Sequence, residues 1–225
     1  MQANVEAIHE TRLSPPVRGF LHRPATASGN ALVLTHGAGS DCNAPLLVAL
    51  AEVFAEHGWT VLRCDLPYRQ LRPHGPPRGS GAEDRAGLRR AVELCRKLAP
   101  GLTFLGGMSY GGRQASVLCA EDPAICDGLL LLSYPLHPPG KPEQLRTAHL
   151  PSIKVPALFV SGSKDPFGTP SELQTALQLL PVPPMSLVIA DAGHDLGYGR
   201  RAGAKTGTLP SDILNEMRRL VTKVH

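Results

Sequence analysis

The chain has 225 residues, of which 42% are apolar and 4% aromatic, and it carries 23 Lys and Arg against 19 Asp and Glu. That length suits one α/β domain over residues 1–225 and is short for two, with a core built mainly of Leu, Val and Ala. A net charge of +4 does not call for nucleic acid, and no run approaches the ~18 apolar residues of a membrane helix.

Cys42, Cys64, Cys95, Cys119 and Cys126 are odd in number and contain no C-x-x-C pair, which argues for a reducing compartment. Residues 1–16 hold no apolar run of the signal-peptide kind, so a cytoplasmic protein is expected. Without H-E-x-x-H or a Cys/His cluster, neither a metal nor another cofactor is expected.

In chain order, residues 3–8 and 17–22 read as two short antiparallel strands at a sheet edge, within an edge segment 1–28. Residues 31–35 are a continuous apolar run, as in a strand covered on both faces, and end at His36-Gly37-Ala38-Gly39-Ser40. A helix over 44–57 follows, with Gly58 placed to stop it, and then a strand over 59–64. Residues 65–81 are rich in Pro, Gly and Arg and read as an irregular loop near the mouth of a site. Helical spacing returns over 82–98. Apolar strands are then expected near 102–108, 129–133, 156–160 and 185–190. Thr169-Pro170-Ser171-Glu172 gives a helix start with N-cap, Pro at the first position and a capping-box Glu. The last helix is expected over 211–224. Alternating strands and helices imply a mostly parallel sheet with helices on both faces.

The segment 102–113 runs from apolar strand into helix through Gly107-Met108-Ser109-Tyr110-Gly111, a G-x-S-x-G nucleophile elbow. Such a turn exposes the Ser109 hydroxyl at the carboxyl edge of the sheet, with the Tyr110 amide beside it. Loops at strand carboxyl ends converge on one crevice, and three of them carry Ser109, Asp165 and His194 in that chain order. The implied roles are nucleophile, orienting acid and general base, with the Ala38 and Tyr110 amides as oxyanion donors. Asp191 and Asp195 flank His194 and compete with Asp165 for the acid's role. His36 stands too early in the chain for the base and is read as shaping the oxyanion loop, and Cys42 as a small buried side chain.

The order Ser, Asp, His resembles that of the α/β-hydrolases, specifically the small lidless kind related to dienelactone hydrolases. The resemblance covers most of the chain and implies the α/β-hydrolase fold without a large cap domain. More narrowly, Gly111-Gly112-Arg113 and Ser133-Tyr134-Pro135-Leu136-His137-Pro138-Pro139-Gly140-Lys141-Pro142-Glu143-Gln144-Leu145-Arg146-Thr147 are similar to one subfamily. It contains testis-expressed hydrolase-like proteins and the hydrolase-like subunit of the NSL histone acetyltransferase complex. Dienelactone hydrolases carry Cys at the elbow where this chain has Ser109, so their substrate does not follow.

The expectation is a serine hydrolase cleaving a small-molecule ester or thioester through an acyl-enzyme. Arg69 and Arg72, in the Pro/Gly-rich loop, are candidate binders of a substrate carboxylate. Arg200, Arg201 and Lys205, like most other charges, read as a solvated face. The competing reading is a catalytically silent interaction protein on the same fold, against which the intact Ser, Asp and His count. Peptide cleavage ranks below both, since nothing supplies an extra domain to screen peptides.

Overall fold

The apolar runs become strands. In the computed structural model, which describes residues 3–199 and 207–224, eight strands form one sheet. They are β1 (Asn4–Glu10), β2 (Val17–Arg23), β3 (Ala31–Thr35), β4 (Thr60–Cys64), β5 (Thr103–Met108), β6 (Gly128–Leu132), β7 (Ala157–Gly162) and β8 (Met185–Ile189). The order is β1-β2-β4-β3-β5-β6-β7-β8, antiparallel at β1 and β2 and parallel from β4 to β8. Arg200, Arg201 and Lys205 lie outside the described residues.

The helices are α1 (Pro45–Glu56), α2 (Pro67–Leu71), α3 (Ala82–Leu98), α4 (Tyr110–Glu121), α5 (Pro170–Leu177) and α6 (Leu209–Val221). Successive side chains on a strand leave opposite faces, so an all-apolar strand feeds two cores. In β6, Leu129 and Leu131 join residues of α3, α4 and α5, whereas Leu130 and Leu132 join α1 and α6. The same alternation holds in β3 and β7. The expected helix stop is present, with Gly58 at φ +91° after the end of α1. The expected capping box of Thr169 and Glu172 is formed in both directions.

One segment differs from the sequence expectation. Residues 65–81 include the short helix α2, begun by Pro67 at its first turn. One of its amides finds a partner outside the segment, the Tyr68 N–H donating to the Asp84 carboxylate at 3.1 Å, while those of Arg69 and Gln70 donate to Leu66 O. Pro fits a first turn because the missing N–H has no acceptor there.

Strand order reverses around β3, which has β4 on one side and β5 on the other. In an open parallel sheet this reversal opens a crevice beyond the strands' carboxyl ends. The loop after β3 and the turn after β5 face each other across it.

Candidate active site

Ser109 occupies the turn between β5 and α4 at φ 52° and ψ −116°, a conformation rarely tolerated by a residue with a side chain. Close packing on both sides explains the glycines around it. A Cβ on Gly111 would lie 2.5 Å from the His36 carbonyl oxygen, and one on Gly107 2.8 Å from that of Thr35. The strain recurs locally: Ser133, Asp191 and Leu196 also have positive φ, all in loops at the same sheet edge.

The Ser109 hydroxyl is 2.8 Å from His194 Nε2 and donates to it. On the other side of the ring, the Nδ1–H donates to Asp165, with contacts of 2.8 Å and 3.0 Å to its two oxygens. Asp165 also accepts the Phe167 N–H at 2.9 Å. Its side chain is 2% exposed, against 84% for Asp191, which pairs with Lys164 at 2.7 Å. Asp195 is exposed and accepts the Gly197 N–H. Of the three carboxylates, the structure brings Asp165 to the imidazole. The Phe167 ring stacks on His194 with centroids 4.1 Å apart, a contact that apolar spacing alone did not reveal.

The loop after β3 lies against the serine, since a Cβ on Gly37 would come within 3.5 Å of the Ser109 Cβ. The Gly37 carbonyl accepts from His36 Nδ1–H at 2.9 Å, the Ser40 N–H at 3.2 Å and the Tyr68 hydroxyl at 3.3 Å. A trans peptide plane directs its N–H opposite to its C=O, so these donors fix where the Ala38 N–H points. His36 Nε2 in turn accepts the Leu66 N–H at 3.1 Å, and burial lowers the pKa of the ring, which stays neutral. Across the crevice, the Tyr110 amide opens α4, where the first amides have no acceptor within the helix. The Tyr110 hydroxyl donates to Asp84 at 2.7 Å, tying the start of α4 to α3. Cys42 is buried, its N–H donates to Asp65 at 2.8 Å, and burial pushes its thiol up to about 12.

Arg69 does something other than reach for a substrate. It is 5% exposed, and its Nε–H donates to Ser40 O. Its terminal nitrogens donate to the carbonyls of Ala38, Arg72, Pro73 and Gly75. A guanidinium has five N–H donors and here each meets a backbone carbonyl, leaving none for a substrate carboxylate. Arg72 reaches Pro76 O at 3.3 Å and borders a cavity of 370 Å³ between α2 and the start of α3. Tyr68 and Asp84, which hold this assembly together, carry no motif and were not singled out in the sequence. A second cavity, of 520 Å³, lies at the crevice between the α1 start and the loop after His194. Met108, Leu46, Pro73, Asp195 and Tyr198 are among its walls.

Comparison with known proteins shows the family and the fold. Residues 28–222 match the family model described as an alpha/beta hydrolase domain. Among solved structures, the dienelactone hydrolase of Anabaena variabilis is similar at 21% identity and TM-score 0.75, covering 99% of each chain. The α/β serine hydrolase without lid XC6422 of Xanthomonas campestris is 19% identical at TM-score 0.72, over 97% of this chain and 95% of that one. Est1E of Butyrivibrio proteoclasticus is 14% identical at TM-score 0.74, over 96% of this chain and 99% of its own.

Proposed function

Because the chain belongs to the alpha/beta hydrolase domain family, we propose that it is a serine hydrolase cleaving a small carboxylic ester or thioester. One observation carries the reading: a continuous hydrogen-bonded path from Asp165 through His194 to Ser109, with 2.8 Å at each link. Ser109 attacks the substrate carbonyl while His194 Nε2 takes the hydroxyl proton. Asp165 holds the proton on Nδ1, so that Nε2 is the free base, and stabilises the imidazolium that forms. The Ala38 and Tyr110 amides receive the developing oxyanion, a contribution of ~3 kcal/mol per donor in comparable sites. The imidazolium then protonates the leaving group, and water repeats the sequence on the acyl-enzyme.

Within the family, Gly111-Gly112-Arg113 and the stretch from Ser133 to Thr147 support a place beside the testis-expressed hydrolase-like proteins and the NSL-complex subunit. That neighbourhood also keeps the silent interaction protein as the alternative. The strained Ser109 favours the enzyme, since a scaffold has no use for φ 52° at a serine.

Intact-mass analysis after a fluorophosphonate probe tests the proposal. One adduct that disappears in Ser109→Ala is expected. Unlabelled, well-folded wild-type protein would move the interaction reading to first place.

A further inference from the structure

Among the described residues, buried and half-buried arginines are satisfied with few exceptions. Arg63 and Arg69 meet carbonyls, Arg18 meets Asp65, Arg85 meets Glu121 and Arg89 meets Asp122. Arg113 and Arg146 break the pattern. Among the described residues the Arg113 guanidinium makes no hydrogen bond or ion pair, and its Nε is buried without a partner. Arg146 has a firmly held backbone, its N–H donating to Leu136 O at 2.8 Å and its carbonyl accepting the Tyr134 hydroxyl at 2.6 Å. Among the described residues its guanidinium hydrogen-bonds to the Pro135 carbonyl alone, at 3.5 Å.

Among the described residues neither guanidinium forms an ion pair. Burial and the like charge of Arg113 lower the pKa of Arg146, with the Tyr134 phenol as the sole opposing influence. His149 beside them is pushed down to about 4 by burial and by Arg113, so it is neutral near pH 7. Half-buried charge without a partner is costly, and an unfilled donor in such a place marks where a ligand fits.

We propose that Arg113 and Arg146 form an oxyanion-binding subsite that takes a carboxylate or phosphate group of the substrate. The assignment of that group to a substrate rests on the serine hydrolase reading. Arg113 sits in the first turn of α4, where its N–H donates to Ser109 O at 2.9 Å, so its backbone lies one turn from the nucleophile. The loop that carries the subsite's other half runs on to His137, whose N–H donates to Phe167 O at 3.0 Å, and Phe167 stacks on His194. The guanidinium fork matches the paired oxygens of carboxylate and phosphate.

The test compares kcat/KM for p-nitrophenyl butyrate and for mono-p-nitrophenyl glutarate, with calorimetric titration of inorganic phosphate and of succinate. Wild-type protein is expected to favour the glutarate. Arg113→Gln and Arg146→Gln each lower the glutarate-to-butyrate ratio tenfold or more, Arg113→Lys lowers it less, and saturable anion binding weakens in parallel. Whichever of phosphate and succinate binds more tightly identifies the native group. A ratio unchanged in both Gln variants, or no saturable binding of either anion, overturns the subsite while fluorophosphonate labelling leaves the hydrolase reading in place. Arg113-dependent phosphate binding in a protein that resists the probe would keep the anion site and remove the hydrolase reading.

Discussion

Tyr68 and Arg69, neighbours in α2, converge on one acceptor: the Tyr68 hydroxyl is 3.0 Å and an Arg69 terminal nitrogen 2.9 Å from the Ala38 carbonyl oxygen. A five-residue helix thereby sets the backbone of the loop that faces Ser109. Lysine keeps the charge at position 69 but cannot fork across five carbonyls. Arg69→Lys is therefore expected to lower kcat about 10²-fold, the scale of a misplaced oxyanion donor, with a much smaller change in KM. A boronic-acid transition-state analogue should lose affinity in step with kcat/KM. Loss of KM alone for acid-bearing esters would instead return Arg69 to substrate binding.

Gly111 has no freedom to accept a side chain. Its Cβ would meet His36 O at 2.5 Å and Thr35 Cγ2 at 2.7 Å, both on the strand-loop junction that also positions Gly37. Gly111→Ala must push the elbow and this junction apart. Overpacking of this kind costs about 1–3 kcal/mol, and the displaced loop should lower kcat beyond what the lost stability explains. Urea unfolding beside steady-state kinetics on the same preparation checks both.

These two sites show where the sequence is legible. The elbow, the all-apolar strands and the Thr169 capping box are local patterns, each dictated by residues within a few positions of one another. So is the alternation that fixes a parallel sheet and the chain order of Ser109, Asp165 and His194. By contrast α2 is too short for periodicity, and its Pro67 reads equally as a helix start or a loop. Its anchors come from elsewhere: Asp84 for the Tyr68 amide, and the Pro16 and Asp65 carbonyls for the Gln70 side chain. The fate of Arg69 was hidden for the same reason, because its partners are backbone carbonyls that carry no residue identity. Choosing Asp165 over Asp191 likewise required knowing which carboxylate is buried beside the ring.

Two histidines predict an acid-sensitive fold. His22 accepts from Arg63 Nε at 3.0 Å and, by burial and then by that neighbouring charge, is pushed down to about 4; His149 is likewise held at about 4. Unfolded, both titrate near 6.5, so the unfolded chain binds these protons first as pH falls. The stability is complete above about pH 6.5 and is lost between there and about pH 4, by up to ~3 kcal/mol per histidine. Urea midpoints at pH 7.5 and pH 4.5 should differ accordingly. His149→Gln should reduce the difference by its own share, and an unchanged slope would mean that His149 is protonated in the folded protein.

Asp165 and Asp191 both precede His194 in the chain, and of the two it is Asp165 that meets the imidazole. Asp165 is buried against the imidazole at 2.8 Å, whereas Asp191 is held at the surface by Lys164. Asparagine at 165 would keep the shape but offer an N–H₂ where the ring needs an acceptor, turning the imidazole to the tautomer that protonates Nε2. Asp165→Asn is expected to reduce kcat by ~10³–10⁴ with the melting temperature largely kept, since a neutral amide fills the same volume. Asp191→Asn removes one exposed ion pair, worth ~0–1 kcal/mol, and should leave turnover near wild type. Fluorophosphonate labelling rates would follow the same ranking, because they report activation of Ser109 without needing a substrate. If the two variants exchanged behaviour, the hydrogen-bonded path from Asp165 to Ser109 would not be the one that activates the serine.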